Sequence, residues 1–172
     1  MIILLFLIVI LIMVVIFWQM STLISIKGGI QYVGSGKKVF ESAFKLARVN
    51  KDAVVYELGS GFGEGLLIAA NEFEASAIGI EISPFHYIFS KIKTLGNKNI
   101  KIYFGNYHNF NLSSADVVYC YLTPVMLEQL MPKFTRELKR GSLLISRSFK
   151  IPKMEILKSE SIGKTSVYVY KI

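Results

Sequence analysis

The sequence of 172 residues contains one cysteine and two histidines. A lone thiol excludes an internal disulfide framework, and Cys120, set inside an apolar run, reads as a small buried hydrophobe. His86 and His108 are too few and too isolated to suggest a metal centre, so no metal is implied. There is no arginine-rich run and no RNA-binding signature, and lysines outnumber arginines, so no nucleic acid partner is expected. Charge is missing altogether at the start of the chain, where the first charged side chain is Lys27. The whole net charge of +8 therefore lies beyond residue 26. A basic domain can face RNA, anionic lipid or an acidic protein. Beside a membrane anchor, attraction to anionic headgroups is the economical reading, with a dispersed solvated surface as the alternative.

That anchor is the uncharged stretch itself. Ile2 to Trp18 is unbroken apolar sequence, and seventeen helical residues reach roughly 26 Å, near the lower limit for crossing a bilayer. Gln19, Ser21 and Thr22, with Leu23, Ile24 and Ile26, can extend it, and Trp18 stands where an interfacial aromatic is useful. A cleaved signal peptide has a positive leader and a small-residue cleavage site, and neither is seen. Lys27, Lys37 and Lys38 follow the run and no Lys or Arg precedes it. The expectation is a single-pass anchor over 1–26, with the remaining domain on the cytoplasmic side. Residues 27–36, with GGIQYVGSG at 28–36, read as a lead-in linker, and 37–172 as one domain.

The domain is organised around Val54-Val55-Tyr56-Glu57-Leu58-Gly59-Ser60-Gly61-Phe62-Gly63-Glu64-Gly65. A buried strand carrying an acid near its end, a tight glycine turn and a helix start follow one another. Glycines let the turn adopt conformations closed to other residues and let a ligand approach the main chain. A dinucleotide fingerprint needs glycine or alanine three residues after its second glycine; Glu64 and Leu66 stand at the two candidate places. A second strand, Ala77 to Glu81, also ends in an acid, 22 positions after Gly59. That is the spacing at which a carboxylate on the next strand accepts hydrogen bonds from ribose hydroxyls.

Helices are expected over Lys37–Leu46, Leu66–Phe73, from Ser83-Pro84 to Gly96, and over Val125–Leu138 behind Thr123-Pro124. In the third of these, Phe85, Ile88, Phe89, Ile92 and Leu95 form a stripe expected to face the core. Further strands are expected at Ile100–Phe104, Val117–Tyr121 and Ser142–Ser146, with a closing pair at Met154–Glu160 and Ser166–Ile172 around Gly163. The fold class is α/β: a Rossmann-like, doubly wound, mostly parallel seven-stranded sheet with an antiparallel carboxyl-terminal edge. Ligands of such sheets lie beyond the carboxyl ends of the strands, where Glu57, Glu81, Asn106 and Tyr121 fall.

The acid and glycine turn resemble the first motif of class I S-adenosylmethionine (SAM) dependent methyltransferases. The resemblance implies SAM as cofactor, with Glu57, Gly59, Ser60, Gly61 and Gly63 around its methionine end and ribose. It places Glu81 and Ile82 at the ribose, and Asn106 and Tyr107 at the adenine, where the family commonly carries an acid; loop asparagine is also a common turn former. Tyr32-Val33-Gly34-Ser35, Tyr121-Leu122-Thr123-Pro124 and Pro132 to Gly141 are similar to one group within that class. Its members are the membrane-anchored protein lysine methyltransferases of the ATP synthase c subunit and the adenine nucleotide translocase, with their prokaryotic relatives. The chain departs from that group at Phe62, usually Asp, and at Gly34, usually Pro.

The narrower resemblance implies methyl transfer to a lysine of a membrane-embedded protein. Its substrate channel is lined by Tyr121, Thr123 and Pro124, with Tyr32 and Ser35 from the lead-in; Tyr121 alternatively reads as a buried strand aromatic. Methylation of RNA or a small molecule is one rival function. A membrane-tethered protein that keeps the fold without catalysis is another.

Overall fold

The structure is a computed structural model that describes the backbone of residues 2–27 and 35–172 and the side chains of 2–24 and 35–172. Tyr32, Gly34 and most of the lead-in lie outside the described residues. Helix α1 (Ile2–Lys27) comes first, then α2 (Lys37–Leu46), β1 (Val54–Leu58), α3 (Glu64–Glu72), β2 (Ser76–Glu81) and α4 (Pro84–Lys93). There follow β3 (Ile100–Phe104), a 3-10 turn at Tyr107–Asn109, β4 (Val117–Cys120), α5 (Pro124–Glu137), β5 (Leu143–Arg147), β6 (Lys158–Ile162) and β7 (Thr165–Lys171).

The seven strands form one sheet in the order β3-β2-β1-β4-β5-β7-β6. The first five run parallel, while β7 is antiparallel to both β5 and β6. The expected sheet is thus the observed one. Strand order reverses between β1 and β4, the point at which open α/β sheets leave a crevice for ligands. Apart from Glu57, the central strands β1 and β4 carry no charged side chain, because helices cover both faces. On one face Phe40, Phe44, Leu66 and Ala69 of α2 and α3 pack against Ala77 and Tyr119. On the other, Leu127, Leu130 and Phe134 of α5 pack against Leu58, Val118 and Tyr170.

Two expectations are corrected. The last hairpin is shorter at its start: Met154 and Ile156 pack beneath the α5 face as loop residues, and pairing begins with the Leu157 N–H to the Val169 carbonyl at 2.9 Å. The larger correction concerns α4. Its stripe does not enter the core; Ile88, Phe89, Ile92 and Leu95 are exposed, and the residue of α4 that is buried is Ser90. The cause is the glycine turn. Gly63, at φ 73°, lies so close that a Cβ there would stand 3.4 Å from Ser90 Cβ and 3.5 Å from Thr94 Cγ2. Beside Gly63 only small side chains fit, while Tyr87, a turn earlier, packs on the core and on the Phe104 ring at 5.5 Å. The hydroxyls beside Gly63 are satisfied locally, Ser90 donating to the Tyr87 carbonyl and Thr94 to the Ser90 carbonyl, each at 2.8 Å.

Helix α1 is apolar over Ile2–Ile24, with mean hydropathy 3.2, long and apolar enough to cross a membrane. Among its described side chains all are exposed except Ser21. Ser21 Oγ is 2.5 Å from Ser83 Oγ and accepts the Phe85 N–H at 3.0 Å, so the end of α1 rests on the start of α4.

Candidate active site

The turn after β1 is held by main-chain bonds to β2. The N–H groups of Gly59 and Ser60 both reach the Ile80 carbonyl, at 2.9 and 3.2 Å, and the Gly63 N–H reaches the Ser60 carbonyl at 2.8 Å. Gly59, Gly61 and Gly63 all take left-handed φ values, 75°, 52° and 73°, which explains why glycine recurs at every second position. A Cβ at Gly59 would meet nothing within 4 Å, so this turn has an open side.

Glu81 is the clasp of the turn. Its Oε2 accepts the Gly61 N–H and its Oε1 the Ser83 N–H, both at 2.7 Å, tying the glycine turn to the start of α4. Burial pushes its carboxyl above the ordinary value, against the pull of the N–H groups of Ser83, Gly61 and Ile82. A carboxylate has about four acceptor sites, so capacity remains for a further donor. Glu57 differs. It is buried, and its Oε2 has no hydrogen-bond partner among the described residues; nor has Ser60 Oγ. Burial, then the charges of Glu81 and Glu64, push the Glu57 carboxyl well above the usual range, and the Leu66 N–H opposes them only in part. A buried acceptor without a donor beside an open turn suits a ligand bearing a cation and hydroxyls. The residues present therefore fit an aminoacyl nucleoside.

Asn106 and Tyr107 are nearby in sequence but differ in placement. Asn106 Oδ1 accepts the His108 N–H at 3.0 Å and so caps the 3-10 turn, the turn-forming role left open by the sequence. Tyr107 lies in the core on the α5 side, and burial pushes its hydroxyl up to about 12. Ile82 follows Glu81 and is half-buried.

Across the switch point, Tyr121 leaves the end of β4 half-buried. Its ring is stacked on Phe149 at 6.3 Å, and the Arg147 guanidinium carbon sits 4.2 Å from its centroid. Arg147 Nη1 donates to Ser35 Oγ at 2.7 Å, and the Tyr119 hydroxyl donates to the same oxygen at 3.1 Å. Ser35 of the lead-in is thereby fixed at the carboxyl ends of β4 and β5. Thr123 and Pro124 are exposed and open α5, Thr123 Oγ1 accepting the Met126 N–H at 3.4 Å. Phe62 turns toward α4, edge-on to His86 at 4.6 Å, and burial lowers the His86 pKa.

Three residues here escaped the sequence reading. Arg147 had a usable signal, a charged residue closing an apolar strand, the same signal that marked Glu57 and Glu81. Gly79 had none, and Gly65, visible as the last glycine of the alternating run, had none for its packing role. A Cβ at Gly79 would lie 2.6 Å from Ser60 Oγ, and one at Gly65 would run into the Phe40 ring and lie 2.8 Å from Glu57 Oε2.

Sheet order, glycine turn and paired strand-end acids define a class I methyltransferase. The family model of the ANTKMT methyltransferase domain matches residues 57–158, and the chain belongs to that family. A protein-lysine N-methyltransferase of Saccharolobus islandicus is 32% identical over 151 residues, covering 83% of this chain and 94% of that protein. Among solved structures, an RNA methyltransferase from Salinibacter ruber in complex with S-adenosyl-L-homocysteine is 26% identical with a TM-score of 0.79, covering 81% of this chain and 94% of that one. A precorrin-6y C5,15-methyltransferase from Geobacter metallireducens shares the fold at 14% identity, with a TM-score of 0.64 over 83% of this chain and 92% of its own.

Proposed function

We propose that the chain is a SAM-dependent protein-lysine N-methyltransferase held in a membrane by α1, acting on a membrane-associated protein from the cytoplasmic side. The observation that carries this is the likeness to the Saccharolobus islandicus protein-lysine N-methyltransferase over 83% of this chain and 94% of that protein. Glu57 Oε2, which has no hydrogen-bond partner among the described residues, supports the cofactor. In this reading Glu57 meets the methionine ammonium, and Gly59, Ser60, Gly61 and Gly63 offer main chain to the methionine and ribose. Glu81 accepts from the ribose diol with the lone pairs its main-chain donors leave free. Ile82 and the main chain of Tyr107 border the adenine, and Asn106 accepts from its amino group. Bound at this place, the cofactor supplies an electrophilic methyl carbon on a sulfonium.

The remaining work belongs to the chain's own residues. A free lysine has a pKa of about 10.4, so its ammonium must lose a proton before its nitrogen can attack. A channel bordered by Tyr121, Thr123, Pro124 and Ser35 strips water from the ammonium and favours that loss. Arg147, fixed against Tyr121, adds a positive charge that disfavours a second one. The proton leaves to water. The channel would hold the neutral nitrogen in line with the methyl group that bound SAM would supply, leaving a charged methylated lysine and the demethylated cofactor. Most of the acceleration comes from alignment of the two reactants.

The anchor rests on the twenty-three-residue stretch Ile2–Ile24, uncharged and polar only at Gln19, Ser21 and Thr22, about 35 Å of helix against a hydrocarbon core of about 30 Å. Incubating the full chain with methyl-labelled SAM and membrane extract, then mapping the label by mass spectrometry, tests the whole reading. Label on a membrane-protein lysine supports it; label in RNA, the substrate class of the Salinibacter enzyme, overturns it. Glu81→Ala weakens SAM binding in calorimetry; unchanged affinity with the fold intact sinks the cofactor assignment, and no binding by the unaltered chain favours a tether without catalysis.

A further inference from the structure

Helix α4 is inside out. The side facing the protein carries Ser90 and Thr94, and the side facing away carries Ile88 and Phe89, 44% and 45% exposed, with Ile92 at 64% and Leu95 beyond its end at 86%. Contiguous apolar surface of this kind marks an interaction site in an otherwise well-packed domain. It is also not isolated. Phe85 lies 4.5 Å from Phe89 and 6.0 Å from Phe17 of α1, and Phe62 of the glycine turn joins both α4 rings at 6.3 and 6.4 Å. One apolar surface thus runs from α1 across the cofactor turn to the end of α4.

Charge follows the same surface. No acidic residue occurs between Glu81 and Asp116, whereas Lys91, Lys93, Lys98 and Lys101 fall in that stretch and all are exposed. The geometry points to a second membrane contact: the outer face of α4 lies in the headgroup–acyl boundary of the bilayer that α1 crosses, its lysines reaching anionic lipid phosphates. The inference rests on the reading of α1 as an anchor. It commits to lipid because α1 sets the depth. Phe17 and Ser21, on either side of the interfacial Trp18, are the residues that hold the start of α4. A helix with one apolar face and flanking lysines at that level lies in the membrane plane, its lysine stems reaching outward to the headgroups. Because Phe62 belongs to both surfaces, this seating holds the cofactor turn against the bilayer.

The test uses the full chain, with Cys120→Ala, in vesicles containing anionic lipid, and an environment-sensitive fluorophore placed at one introduced cysteine at a time. Probes at Ile92→Cys and Leu95→Cys shift to the blue and are quenched most by lipids spin-labelled near the headgroup. A Leu11→Cys probe in mid-α1 is quenched most by labels deep in the chains, and a Glu128→Cys probe on the opposite face by neither. Replacing Lys91, Lys93 and Lys98 with Glu lowers quenching at Ile92 and leaves Leu11 unchanged. Quenching at Leu11 without quenching at Ile92 and Leu95 overturns the α4 contact while the anchor stands. No quenching at Leu11 removes the anchor, and the inference with it. A blue shift at Ile92 that grows with protein concentration and resists lipid quenching assigns the face to a second copy and likewise overturns the inference.

Discussion

Helices α4 and α5 begin alike and end up opposite. Each opens with a hydroxyl N-cap and a proline, Ser83-Pro84 and Thr123-Pro124, and each carries an apolar stripe at helical spacing. Yet α5 buries Leu127, Leu130 and Phe134, while α4 buries Ser90 and turns its stripe outward. Periodicity establishes that a helix has two unlike faces; it does not say which one the rest of the molecule will touch. At α5 the neighbour is a flat apolar sheet. At α4 the neighbour is a glycine turn pressed so near that bulk is excluded.

The comparison breaks most sharply at matched truncations. Phe134→Ala in α5 costs about 3–5 kcal/mol, as for a large buried aromatic, while Ile92→Ala in α4 stays within about 0.5 kcal/mol in detergent. Denaturant titration of both variants checks this, and equal losses would return the α4 stripe to the core. Ser90→Leu, which gives α4 the inner face its sequence neighbours suggest, costs about 1–3 kcal/mol by overpacking against Gly63. It also weakens SAM binding, because the cofactor turn is what must move. Removing the caps sharpens the contrast further: Thr123→Ala costs about 1 kcal/mol, and Ser83→Ala more, since Ser83 also meets Ser21 of α1. Thermal melts of the two variants side by side are sufficient.

The smallest effect concerns the turn between the two faces. The folded-state pKa of Glu57 is raised, so its ionisation disfavours the fold: the stability it contributes to the unliganded protein is fully present below the ordinary carboxylate value of 4.5 and is lost as pH rises through the raised value. Glu57→Gln flattens that profile and raises the melting temperature at neutral pH while weakening SAM binding. A cation beside the ionised group reverses the cost, so the affinity of the unaltered chain for SAM rises with pH over the same window. A melting temperature that responds to pH identically in both proteins would remove Glu57 from this role.

What could be read in advance was local and consecutive. The Val54–Gly65 stretch names its own strand, turn and helix start, and Glu81 stands out as an acid closing an apolar strand. What could not be read depends on distance through space. The role of Gly79 exists only because Ser60 folds over β2, and that of Gly65 because Phe40 arrives from α2. Arg147 acquires its meaning from Ser35, 112 positions earlier. The direction of the α4 stripe belongs to the same group, since it depends on Gly63 approaching Ser90 and Thr94 from a different part of the chain.

The stretch recognised by family likeness begins at Glu57, but the architecture starts earlier. The Phe40 ring occupies the space a side chain at Gly65 would need and lies 4.8 Å from that of Tyr119, wedging α2 between the floor of the crevice and the opening of α3. At the other extremity β7 sits inside the sheet, between β5 and β6. The smallest portable unit of this enzyme is therefore longer than its recognisable signature. A fragment trimmed to that signature would keep every diagnostic letter and lose the mould that shapes them.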